Sequence, residues 1–161
     1  MAIFKPFKAY RPSIKNQSLI PALPYDVMSS EEARRMVKGN ALSFLHVDKA
    51  EIDLPIDVDP YSEQVYQKAR ENLLALEQNG DLIQDKTPCL YIYRQKMNGR
   101  IQTGIVGCAS IDDYMNNVIK KHEHTLAKKE QDRINHVNTL DANTGPIFLT
   151  YRKNNAVDMQ V

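Results

Sequence analysis

The sequence predicts an α+β fold, a compact mixed sheet with flanking helices. Three observations predict it. Strand-like and helix-like segments interleave without the regular spacing of βαβ units, which disfavours a doubly wound parallel sheet. Residues 89–97 and 100–109 read as a hairpin around Asn98-Gly99, the dipeptide that suits a two-residue type I′ turn. After Asp59-Pro60, Tyr66, Ala69, Leu73 and Leu76 recur at helical spacing and make one apolar face.

Taken in order, residues 2–12 alternate loosely, with Ile3, Phe4, Phe7 and Tyr10 as candidates for burial. Pro6 and Pro12 confine this stretch to an edge strand or extended arm. Residues 13–28 are irregular, and Pro24 stiffens the turn L-P-Y-D-V from Leu23 to Val27. Ser29 with Glu32 forms a capping box that opens a short helix ending near Gly39 or Asn40. L-S-F-L-H-V, residues 42–47, reads as a buried strand, followed by a loop to residue 58. Asp59-Pro60 supplies an N-cap and a first-turn proline for the next helix, and Asn79-Gly80 ends it. After the hairpin, Asp112-Asp113 suggests a helix start. A final strand is expected from Pro146 to Tyr151. Residues 1–152 then form a single domain and residues 153–161 a tail.

The totals bound the function classes. A chain of 161 residues with 42% apolar and 25% charged residues is an ordinary globular composition. The net charge of +1 gives no global case for nucleic acid or an acidic membrane, so any basic patch must be local. No segment has the roughly 20 consecutive apolar residues that a membrane span needs. The N-terminal residues do not read as a signal peptide. Cys89 and Cys108 lack C-x-x-C spacing and sit at strand-like positions, which suits two reduced, packed thiols in a cytoplasmic protein.

The chemistry concentrates between Lys120 and His136, where three of the four histidines fall. Projected as a helix, Glu123, Leu126, Ala127, Glu130, Ile134 and Val137 share one face, and His122, Lys129, Arg133 and His136 form a basic flank. Two glutamates in an apolar stripe point to a site or to buried ion pairs. Seven residues separate them, roughly 10 Å along a helix, too far for a carboxylate dyad. One could act as a general base while the other orients a cation. A helix starting near Thr125 would offer free N–H groups to an anion, with His122, Lys129 and Arg133 adding charge. A solvated face with pairs such as Lys128–Asp132 is the plain alternative. The spacing of His122 and His124 matches no zinc motif, so no dedicated metal site is expected. Magnesium carried in on a nucleotide is the better fit, since it needs one or two carboxylates plus phosphates. Arg11, Tyr25, Asp26 and His46 are candidates to line a cleft, and Glu51 lies five residues beyond His46. For each of these, turn chemistry or strand-end solvation is the competing account.

Several pieces together carry a resemblance. Arg11-Pro12, P-Y-D-V (24–27), S-F-L-H-V (43–47), Y-I-Y-R-Q (91–95), K-K-H-E-H-T (120–125), K-E-Q-D-R (129–133) and G-P-I-F-L-T-Y (145–151) resemble domain of unknown function 1015, an uncharacterised bacterial family. Its members are usually much longer. The resemblance therefore implies an N-terminal part whose partner could be its own C-terminal region. The family is similar in turn to the ParB/sulfiredoxin-like group, which includes nucleotide-binding ParB, ATP-using sulfiredoxin and free-serine kinases. What this implies is a nucleotide-dependent phosphotransferase using ATP or ADP with magnesium on a small hydroxyl substrate such as serine. Glu123 or Glu51 would be the base and Glu130 its support. His122, His124, Thr125, Lys129 and Arg133 would hold phosphates. Arg11, Tyr25, Asp26 and His46 would line the substrate pocket. The rival from another class is a ParB-like nucleotide- or DNA-binding regulator without catalysis. Near-neutral charge and the lack of a clear helix-turn-helix count against DNA. A homodimer and a non-catalytic fragment are the remaining expectations.

Overall fold

The computed structural model describes residues 2–121, 125–152 and 154–158. It is mixed α/β, with helices and small antiparallel pairings. In place of one mixed sheet there are three separate two-stranded pairings among the described residues. The chain divides into two compact units, where the sequence points to one domain. Residues 1–9, 84–124 and 145–161 make the first, and residues 10–83 and 125–144 make the second.

The second unit holds the core. Its helices are α1 (Ser30–Met36), α2 (Leu45–Asp48), α3 (Glu63–Gln78) and α5 (Ala127–Leu140). Ser29 caps α1 as expected, its hydroxyl accepting from the Glu32 amide at 3.2 Å while Glu32 accepts from the Ser29 amide at 2.8 Å. The long helix α3 starts later than Asp59-Pro60 suggests, because Asp59 first closes a turn. Its carbonyl and carboxylate hold Ser62 and Tyr61, and Ser62 becomes the N-cap. The expected face is buried, Tyr66 included, and Val65, Ala69, Leu73 and Leu76 pack with Ile20, Val47, Ala50, Leu82 and Leu140. Gly80 ends the helix with φ +71°, where a Cβ would be strained. A smaller cluster joins Ala33, Leu45 and Ile52. β2 (Tyr10–Pro12) hydrogen-bonds to β3 (Leu82–Gln84) beside this core.

L-S-F-L-H-V is not a strand. Residues 45–48 form the one-turn helix α2, and Ala50–Asp53 follows as a 3-10 turn. An apolar run this short does not distinguish a buried strand from a buried helical turn. Here local bonds decide: Asn40 Oδ1 accepts from the Leu42 amide, and Ser43 Oγ accepts from the Leu45 amide.

The first unit contains the hairpin. β4 (Tyr91–Met97) and β5 (Arg100–Val106) pair in register from Tyr91–Val106 to Met97–Arg100. Asn98 and Gly99 take φ of 50° and 79°, as a type I′ turn requires. The N-terminal arm β1 (Phe4–Lys5) pairs with β6 (Cys108–Ala109), and Phe7 bridges to Cys89. The arm thus pairs with the segments that flank both ends of the hairpin. Gly107 makes room for it, since a Cβ there would meet the Phe4 ring at 2.6 Å. Ile3, Phe4 and Tyr10, expected to be buried, are exposed, and so are both thiols. α4 (Ile111–Met115) starts at Ser110, whose hydroxyl accepts from the Asp113 amide. Among the described residues, 146–151 are not in a strand and run as irregular chain, and Asn155–Asp158 closes with α6. None of the described residues of this unit is fully buried.

Candidate functional site

Helix α5 sets the site, and it does so with the flank beside the face that the periodicity favours. Glu130, Ile134 and Val137 are exposed, while Asp132, Arg133, His136 and Leu140 turn inward. Counting apolar residues gives the wrong face because the inward contacts are polar. The Tyr66 hydroxyl on α3 donates to Asp132 Oδ1 at 2.9 Å. The His136 ring packs edge-on against Tyr66, with centroids 6.4 Å apart. His136 Nε2 lies 3.2 Å from the Val47 carbonyl and so donates to it. Buried Nδ1 has no partner.

Around this seam charged and aromatic groups converge. Arg133 pairs with Asp132 at 2.7 Å and lies over the Tyr25 ring, its Cζ 4.2 Å from the centroid. Tyr25 stands on the 3-10 turn Tyr25–Val27 after Pro24. Asp48, the last residue of α2, accepts from the Thr144 hydroxyl at 2.7 Å. Burial pushes the Asp48 carboxyl up to about 6, against the opposing pull of Thr144 and Arg133. Burial and the Asp132 carboxylate push Tyr66 up to about 12. Tyr25 is raised, chiefly by burial. His136 is lowered, again chiefly by burial, which keeps its imidazole neutral. The result is a guanidinium set between two tyrosines and two aspartates, one of which can exchange a proton near neutral pH.

The sequence-predicted residues fall in several places. Arg133 and Tyr25 meet in this cluster. Asp26, Thr125, Lys129 and Glu130 are exposed. The helix begins at Ala127 with Leu126 as N-cap, so Thr125 is not at its first turn. Lys128 does not pair with Asp132 but sits over the Tyr61 ring at 4.2 Å. Glu51 is buried and closed against Ser30 Oγ at 2.7 Å and Lys49 Nζ at 3.0 Å. Both contacts fall on Oε1, a bonding suited to holding the 3-10 turn. His46 is held by Asp53 at 2.8 Å, and Asp53 by Asn72. Arg11 lies on β2 and is engaged. His122, Glu123 and His124 lie outside the described residues. Asp48, Tyr66 and Thr144 were missed. Asp48 follows S-F-L-H-V directly, so reading that run as a helical turn would have placed its carboxylate at the turn's end.

Among the described residues, no group of three His, Cys, Asp or Glu is placed to hold a metal ion. No helix among them is long and apolar enough to cross a membrane.

The family follows from comparison. The model for Protein of unknown function (DUF1015) matches residues 4–161. The chain belongs to that family. No curated protein and no solved structure matches it significantly. Every member of the Arg133 cluster lies inside the matched span.

Proposed function

We propose that this DUF1015 chain is a cytoplasmic, nucleotide-dependent phosphotransferase acting on a small hydroxyl compound, with free serine as the concrete acceptor and a ParB/sulfiredoxin-like relationship behind it. The observation that carries the reading is the convergence of Arg133, Asp132 and Tyr25 beside Asp48. Phosphoryl transfer needs little covalent chemistry from a protein. It needs a cation to spread the charge of the transferred group, and a base to take the hydroxyl proton. Arg133, anchored by Asp132, suits the first role. Asp48 suits the second, with Thr144 fixing its orientation. His136 and Tyr66 brace the two helices on which these groups stand.

ATP or ADP with magnesium would supply the phosphoryl group. Both oxygens of Asp132 are already engaged, by Tyr66 and Arg133, and Asp48 Oδ1 by Thr144. The residues therefore fit a cation that arrives on a nucleotide, which needs few protein ligands, better than a resident metal.

Titration calorimetry with ATP and ADP tests the reading on wild type and Arg133→Ala. Binding is expected for the wild type and a loss of at least tenfold for the variant, matching the about 1.5–3 kcal/mol of a charge-assisted bond. Absence of heat with both nucleotides overturns it. Nucleotide binding without phosphoserine formation on added serine would favour the non-catalytic regulator.

A further inference from the structure

We infer that the β4–β5 hairpin is a binding surface for single-stranded nucleic acid, independent of the Arg133 cluster. The net charge of +1 conceals a division. The first unit carries ten Lys/Arg against five Asp/Glu, net +5, and the second eleven against fifteen, net −4. Such asymmetry within one chain points to a polyanionic partner for the basic half. Within the basic unit the charge is focused. Between Asp85 and Asp112 there is no acidic residue, while Lys86, Arg94, Lys96 and Arg100 are all basic. Arg94, Lys96 and Arg100 stand on the two strands, exposed, and none has an ion-pair partner among the described residues.

The ribbon also offers a place for a base. Its register puts Tyr93 directly opposite Gly104 on one face. Tyr93 is 55% exposed. A Cβ built on Gly104 would have nothing within 4 Å, so the floor across from the ring is open. The next pair on that face is Gln95 with Gln102, and the one beyond it Met97 with Arg100. Gln95 donates to the Tyr93 hydroxyl at 3.3 Å, which steadies the ring at its polar end and leaves its faces clear. An exposed aromatic on a strand, next to amide donors and cations, suits a splayed base with its phosphates. Arg94 and Lys96 point to the other face, but they lie on β4. Its outer edge has no strand partner among the described residues, so long cationic side chains can reach around it. A duplex read by a β-ribbon would use the cations without the stacking platform. An acidic protein would likewise gain nothing from the open floor beside Tyr93.

Fluorescence anisotropy with a labelled oligothymidine and an oligouridine tests this on the whole chain. Binding in the micromolar range is expected at low salt, weakening with a log–log slope of about −2 for three phosphate contacts. Arg94→Ala with Lys96→Ala should weaken it at least tenfold and cut the slope to about −1. Tyr93→Ala should weaken it about tenfold at unchanged slope, because it removes stacking and no charge. Lys38→Ala, in the acidic unit, should change nothing. Far-UV circular dichroism confirms that each variant is folded. No binding at about 100 µM protein overturns the inference. So does equal binding of a duplex or of polyglutamate, and so does a Tyr93→Ala protein that binds as well as wild type.

Discussion

Replacing Asp48 by Asn should make this protein more stable at neutral pH. The carboxyl titrates at about 6 in the folded chain, against an ordinary value of 3.8. The folded state therefore holds a proton that the unfolded state has already released between those two values. Stability falls as pH rises through that window, and the whole penalty is present above pH 6. About two units at 1.36 kcal/mol each set an upper bound of about 3 kcal/mol. Residual exposure of Asp48 reduces this to about 1–3 kcal/mol, the pull of Arg133 being already contained in the value of about 6. Asn keeps an oxygen to accept from Thr144, so the substitution removes charge with little change of shape. Urea unfolding followed by far-UV circular dichroism is the assay, since the helices α1, α2, α3 and α5 that dominate the signal share the unit that holds Asp48. The variant should gain at about pH 8, and the gap should close by about pH 4. A variant no more stable than wild type at pH 8, or a gap independent of pH, would refute the reasoning. A residue that lowers stability at working pH is the pattern expected where function and stability compete.

Gly107→Ala should loosen the N-terminal arm, because the new methyl would meet Phe4 at 2.6 Å and Leu90 at 2.8 Å. Both contacts are the far ends of exposed side chains that can swing aside, so the cost is about 1 kcal/mol or less. Faster hydrogen exchange at the Phe7 and Cys89 amides, with α3 amides unchanged, is the expected signature. Cys89 and Cys108 should both react promptly with a thiol reagent in the native protein, since both are exposed and free. A single reactive thiol in the intact fold would contradict this.

Where the sequence was legible, its signals were local. The Ser29–Glu32 box, the Asn79-Gly80 stop, the Asn98-Gly99 turn and the apolar face of α3 each depend on residues within a turn or two, and each stands as expected. Where it was not, distant partners decide. Residues 146–151 have strand composition yet form no strand among the described residues. The orientation of α5 follows from Tyr66 and Val47, which lie 66 and 89 residues away. The Asp48–Thr144 bond closes across 96 residues, and spacing along the chain contains no trace of it. Of the candidate site, Arg133 and Tyr25 were legible as site residues, and His136 as part of the same basic flank. Their residue types suggest chemistry on their own, whereas Asp48 and Tyr66 acquire it from burial.

The N-terminal arm has a consequence for the order of assembly. Ile3 donates to Asp113 across 110 residues, and Phe4 and Lys5 pair with Ala109 and Cys108. During synthesis these residues are thus without their partners until the residues between Ile3 and Asp113, 110 positions apart, have been made. Contacts of such long range are slow to close, because the loop entropy is lost before the bonds form. Helix α3 and the hairpin can form from neighbouring residues in the meantime. The arm is therefore expected to dock after both, as a late step that joins segments far apart in the sequence.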